Sequence, residues 1–287
     1  MNKEYKDRYL QSEKEGYKIS DEKLKKAYKQ QKEDREKLLN AIGRVVLTYS
    51  ILDGVLEVNF KQRRILKKKF NKNINDIISG QNKTEKEVIE DILTTVTKEK
   101  YYKNGYLISM GERIKLKKFS DKKINEIINS TIDGKRWSNR LWKNKKELEK
   151  KLKKEISKLF DGETSVNDIK KLVENKFNQN AFNTKRLVET EVSRCQNQAN
   201  EYFAEEHEVE KQMFIATLDD RTTEFCQEHD SRTYKTNDPD KPYLPAHPFC
   251  RSCYIPVVED WEPTIRKDNK NKEYIDFMSY EEWKEII

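Results

Sequence analysis

The stretch TLDDRTTEFCQEHDSRTYKTNDPDKPYLPAHPFCRSCYIPV, residues 217–257, decides how this chain is read. It holds three of the four cysteines and two of the three histidines, spaced as Cys226-x2-His229 and then His247-x2-Cys250-x2-Cys253. Thiolate and imidazole are the ligands zinc prefers, and a structural site closes with four of them in a tetrahedron. A two-residue gap lets a turn aim two ligands at one ion. The spacing therefore predicts a structural zinc site of Cys226, His247, Cys250 and Cys253, with His229 as a spare ligand. Two plainer readings stay open: thiols buried as small hydrophobes, and an ordinary proline-rich loop. A disulfide is a third, although nothing in the chain implies an oxidising compartment.

Working outward, residues 212–217 (QMFIAT) and 254–258 (YIPVV) have the composition of two short strands bracketing that loop. Such a pair is marginal alone, so an ion or packing on the preceding helices must stabilise it. Upstream the period becomes helical. Val188, Val192, Cys195, Ala199 and Phe203 form one stripe, which makes Cys195 a packed thiol. Before it, Ser165-x-x-Asp168 caps a helix whose apolar face is Ile169, Leu172, Val173 and Phe177, and Asp161-Gly162 ends the helix carrying Leu148, Leu152, Ile156 and Leu159. Trp137 and Trp142 read as core anchors at that helix's start, and ERIKLKKF, residues 112–119, as a short strand or loop. Val88 to Val96 predicts a helix begun by a Thr84/Glu87 capping box, and Leu38 to Leu56 a longer amphipathic helix. Residues 1–39 read as a charged helix or partly disordered arm. Tyr274, Phe277, Tyr280, Trp283, Ile286 and Ile287 stud the tail and dock either on the core or on a partner. The expected fold class is α+β, mainly α: extended N-terminal helices followed by a small C-terminal α+β domain with a Cys/His loop. The expected segments are 1–97 (helical arm), 98–160 (basic middle), 161–258 (C-terminal domain) and 259–287 (tail).

Only 34% of the residues are hydrophobic against 38% charged, lean for a compact globule, which favours long helices with exposed flanks. No segment approaches the ~20 apolar residues that span a bilayer, and the N-terminal MNKEYKDRYLQSEKEGYK lacks the apolar region of a signal peptide. The expectation is a soluble protein of a reducing cytoplasm, or of a particle assembled there, with no membrane contact. Charge is uneven: residues 98–158 hold 20 Lys and Arg against 8 Asp and Glu, whereas residues 201–260 hold 6 against 14. Lys145, Lys146, Lys150, Lys151, Lys153 and Lys154 form the densest basic run. Such a face attracts double-stranded DNA non-specifically by counterion release, or is a solvated helix face.

One resemblance runs through the C-terminal stretch. Asp219, Arg221, Thr222, Cys226, Pro245, His247, Pro248, Cys250, Arg251 and Pro256 follow a pattern that resembles the C-terminal domain of phage head morphogenesis proteins, the minor head proteins that include the F protein of phage Mu. Upstream, Asp133–Trp142, Asp161-Gly162 and Arg186–Glu191 keep the family's order, so the resemblance covers roughly residues 130–258. Two departures are Glu189-Thr190-Glu191 in place of Arg-Thr-Glu, and Cys250-Arg251-Ser252-Cys253 in place of Cys-Arg-Cys or Cys-Arg-Ser-Thr. The resemblance implies a minor capsid protein of the virion interior that binds the phage portal during procapsid assembly and touches packaged DNA. It also implies motif roles for Asp219, Arg221, Thr222, Glu191 and Arg251.

No nucleophile–base pair with an orienting third group stands out, and no glycine loop cradles a phosphate. Arg221 and Arg251 are read as partners of the neighbouring acids rather than as chemistry. The sequence reading is therefore a structural, non-enzymatic protein. The alternatives are a DNA-binding module and a metal-dependent nuclease or toxin-type enzyme.

Overall fold

A computed structural model describes residues 3–109, 114–257, 265–268, 270–276 and 278–286. The fold is mainly helical α+β. Its elements are α1 (Lys3–Thr48), β1 (Ile51–Leu52), β2 (Val55–Leu56), α2 (Phe60–Ser109), α3 (Asp121–Ile128), α4 (Trp137–Asp161), α5 (Val166–Glu206), β3 (Lys211–Ile215), α6 (Glu224–His229), β4 (Thr233–Lys235), β5 (Cys253–Val257), β6 (Ile265–Lys267), β7 (Tyr274–Asp276) and α7 (Tyr280–Glu285). Among the described residues, no helix is long and apolar enough to cross a membrane. The chain forms two compact units interleaved in sequence: Met1–Glu22, Asp91–Ser130 and Val188–Ile287 in one, Lys23–Glu90 and Thr131–Leu187 in the other. α1, α2 and α5 each contribute to both units.

The second unit has a core built mainly of helices, with Leu56 of β2 added to it. Leu38, Ile42, Val45, Phe70, Ile74, Ile78, Leu152, Ile156, Leu159 and Val173 are buried together. Burying each such side chain contributes about 1.5–3 kcal/mol, which lets a highly charged chain hold long helices. The apolar stripe Leu38 to Leu56 is not one helix, as periodicity suggested. α1 stops at Thr48, and Leu52, Val55 and Leu56 belong to the β1–β2 hairpin. Asp53 (φ 50) and Gly54 (φ 79) form its turn, the positive-φ pair that a two-residue hairpin requires. Thr84 caps nothing, since α2 runs unbroken from Phe60. The reciprocal cap lies at Asn59 and Gln62, whose side chains and backbone N–H groups pair at 2.9 and 3.0 Å. Likewise the stripes at residues 169–177 and 188–203 do not lie on two helices; α5 runs unbroken through Asn183-Thr184 between them. Gly162 (φ 78) ends α4 and Ser165 caps α5, accepting from Asp168 N at 3.1 Å, as the sequence indicated. Trp137 is buried, but Trp142 is 48% exposed, with Lys146 Nζ 4.7 Å above its ring. Trp142 is therefore no core anchor.

The first unit contains the three-stranded sheet. Its order is β4-β3-β5, antiparallel throughout, with Met213 opposite Thr233 on one side and Ile255 on the other. Helical residues 9, 104 and 200 tie to it by buried polar bonds. Asn200 accepts from Tyr9 Oη and from Asn104 Nδ2 (3.0 Å) and donates to Gln212 Oε1 on β3 (2.9 Å). The N-terminal arm is thus a helix with Tyr9 fully buried, not a disordered segment. The tail docks on its own unit: Tyr280 and Trp283 of α7 pack with Leu218, and Ser279 with Glu282 forms a capping box. Glu112, Arg113, Val258, Glu259, Phe277 and Ile287 lie outside the described residues.

Candidate functional site

The Cys/His loop folds around a small apolar core of Phe214, Ala216, Cys226, Leu244, Cys250 and Tyr254. α6 presents Cys226. A turn closed by Cys250 N donating to His247 O at 3.1 Å presents His247 and Cys250. Cys226 Sγ lies 3.5 Å from His247 Nε2 and 4.0 Å from Cys250 Sγ. Those three ligand atoms lie within 4.8 Å of one another, and Cys253 is not among them. Cys253 instead opens β5 opposite Ile215, buried in the sheet. The gap before Cys250 is a turn, whereas the gap after it leads into an extended strand, which carries the fourth cysteine away. His229 is also elsewhere, stacked on Phe225 at 4.4 Å between ring centroids. All four thiols are free. The hydrogen bond with Cys226 pulls the Cys250 thiol well below its ordinary range, against burial and with help from His247. The same contact, with burial, pushes Cys226 up.

Beside this cluster Asp219 braces the loop. Arg251 grips its carboxylate with two bonds of 2.7 and 2.9 Å, and Arg221 adds its backbone N–H at 3.0 Å and its guanidinium at 3.2 Å. Thr222 donates its hydroxyl to Thr217 O and its backbone N–H to Asp219 O. Burial alone would raise the Asp219 pKa, but Arg251's bonds and charge, followed by Arg221's, hold it at about 2. The folded-state pKa is below the unfolded value of about 3.9, so the stabilisation is complete above that pH and is lost as pH falls toward 2. Its size is roughly 2 kcal/mol. Asp219→Asn should therefore destabilise the protein in urea unfolding at pH 7 and cost about half as much at pH 3. An equal cost at both would remove the charged clamp.

Glu191 is fully buried and bound by Arg194 Nε at 2.7 Å. Arg194 also donates to the backbone oxygens of Ile127 (2.6 Å) and Ile128 (3.2 Å), which satisfies the C-terminal carbonyls of α3. Arg194 was not singled out from the sequence; the Glu191-x-x-Arg194 spacing on a helix was the available signal.

The basic run does not act as one face. Lys145 is fully buried, bound to Glu85, to Gln81 Oε1 (3.2 Å) and to Asn180 Oδ1 (3.1 Å). It is unavailable to a phosphate backbone, which corrects its assignment as a DNA contact. Lys146 and Lys153 both pair with Glu149, at 2.9 and 2.6 Å. Lys150 and Lys154 are exposed and Lys151 is half-buried.

With this geometry in place, the comparisons with known proteins point in one direction. Over 232 residues, 73% of this chain, the sequence is 27% identical to the NAD(+)–arginine ADP-ribosyltransferase EFV of Enterococcus faecalis. The match is to an enzyme. The chain spans about half (47%) of that curated relative's length. No family model matches the chain, and no solved structure matches it. This finding overturns the resemblance to phage head morphogenesis proteins and the minor-capsid function built on it. It also overturns the non-enzyme reading. Four of the ten residues that carried the resemblance in this stretch (Asp219, Arg221, Thr222 and Arg251) brace the loop from within, and a bracing motif reports a local fold rather than a task.

Proposed function

We propose that this chain is part of a toxin-type enzyme that transfers ADP-ribose from NAD+ to arginine. The observation that carries the proposal is its 27% identity over 232 residues to a protein named for that activity. In that reaction the bond between the ribose C1′ and the nicotinamide nitrogen breaks, a new bond forms from C1′ to a guanidinium nitrogen, and the guanidinium gives up a proton. The protein's task is to supply a carboxylate able to receive that proton and to face a cationic acceptor.

Two carboxylates of the first unit are already committed to guanidinium groups of the chain itself: Asp219 to Arg251 and Arg221, Glu191 to Arg194. Glu201 differs. It is partly exposed, and its partner is an ammonium: Lys241 Nζ donates to both carboxylate oxygens at 2.8 and 2.6 Å, with Gln212 Nε2 at 3.4 Å. Burial raises its pKa while Lys241 opposes the rise, a bias toward accepting a proton. We assign it as the candidate proton acceptor.

The test is to incubate the purified chain with isotopically labelled NAD+ and an arginine polymer, measuring free nicotinamide and label on arginine. Both are expected to form with the intact chain and to fall by at least ~100-fold in Glu201→Gln, the scale of a lost general base. Labelling that persists undiminished in Glu201→Gln would discard that assignment alone. No transfer by a folded chain would place the chemistry in the part of the relative that this chain does not span, and the enzyme reading would fall for these residues.

A further inference from the structure

The geometry points to a zinc site with three protein ligands, Cys226, His247 and Cys250, and a solvent molecule as the fourth, rather than the four-ligand site that the spacing suggested. Zinc holds sulfur at about 2.3 Å and imidazole nitrogen at about 2.0–2.1 Å, so tetrahedral coordination sets two sulfurs about 3.8 Å apart and sulfur and nitrogen about 3.5 Å apart. The measured separations are 4.0 Å for Cys226 Sγ to Cys250 Sγ and 3.5 Å for Cys226 Sγ to His247 Nε2.

The histidine is held in the orientation a ligand needs. His247 Nδ1 lies 2.9 Å from Pro248 O, which can only accept, so Nδ1 carries the proton and Nε2 of the neutral ring turns its lone pair toward the thiols. A second hydrogen bond of this kind is what fixes ligating histidines elsewhere. The environment is also suited to the ion: Cys226 and Cys250 are buried in the apolar cluster, and His247 sits at its rim. Metal here would tie α6 to the 247–250 turn and so pin both ends of the irregular loop between β3 and β5. This inference does not rest on the proposed transferase activity.

The full chain, stripped with a chelator and titrated with Co2+ under reducing conditions, should develop the visible absorption of tetrahedral cobalt with thiolate charge-transfer bands at about one equivalent. Zinc should then bleach it. Cys253→Ser should keep the signal, whereas Cys226→Ser, Cys250→Ser and His247→Ala should lose it. Loss in Cys253→Ser equal to that in Cys250→Ser would overturn the three-ligand assignment. Absence of any signal from the intact, folded chain would overturn the site itself. Because the first measurement uses the unaltered protein, it stands even if a cysteine variant fails to fold.

Discussion

Lys145→Ala is expected to lower unfolding free energy by about 3–5 kcal/mol, the cost of leaving an uncompensated charge in a protein interior. Glu85 is 1% exposed and would be the charge left behind. Its remaining partners are Gln31 Nε2 at 2.8 Å and the Thr184 hydroxyl at 3.0 Å, both neutral. Gln81 and Asn180 would each lose the ammonium they accept from or lean upon. Burial lowers the Lys145 pKa and Glu85 opposes it, so desolvation outweighs the attraction and the pair specifies a partner more than it adds net stability. A double variant, Lys145→Met with Glu85→Gln, should accordingly cost less than the sum of the single changes. Denaturant unfolding of the wild type, Lys145→Met, Glu85→Gln and the double variant measures this. A single-variant loss under ~1 kcal/mol would mean that water reaches Glu85 and that the pair behaves as a surface salt bridge.

Arg194→Ala should have a comparable effect, about 3–5 kcal/mol, by a different route. One guanidinium there neutralises buried Glu191 and also donates to Ile127 O, Ile128 O and Gln198 Oε1. Removing it leaves a buried carboxylate and exposes the C-terminus of α3 to a loss of two carbonyl partners. Arg194→Lys should recover only part, because an ammonium cannot span the fork of acceptors around it. Hydrogen exchange would localise the damage to the α3 amides bonded within that helix and to the adjoining turn of α5. A global, unlocalised loss, or full rescue by lysine, would contradict the bridging role.

The failed family reading has a physical explanation. Asp219, Arg221, Thr222 and Arg251 are legible as a motif because a charged clamp needs those groups at close spacing, and the structure shows them spent on one another. A motif of this kind repeats wherever the same loop must be braced, whatever the protein does. The similarity to a transferase, by contrast, is spread over 232 residues rather than confined to one short motif.

Local signals determined much by themselves. Gly162 had to end α4, Ser165 had to begin α5, and the strands at 211–215 and 253–257 followed from composition and period, since each depends on a few neighbouring residues. Mainly helical α+β architecture followed from the same patterns. Where two local signals competed, packing decided. Asp53-Gly54 broke the apolar stripe into a hairpin, and α2 and α5 ran through residues that resembled caps, because burying their apolar faces outweighs a single capping bond. Burial of individual charges was invisible in one dimension. Lys145 looked like its solvated neighbours until Glu85, sixty residues away in sequence, was found against it. Cys253 looked like a ligand until β5 drew it into the sheet, and only the tertiary structure could place Cys226, His247 and Cys250 around one point. Spacing limits which residues are able to meet; the direction the backbone takes after each one decides which do.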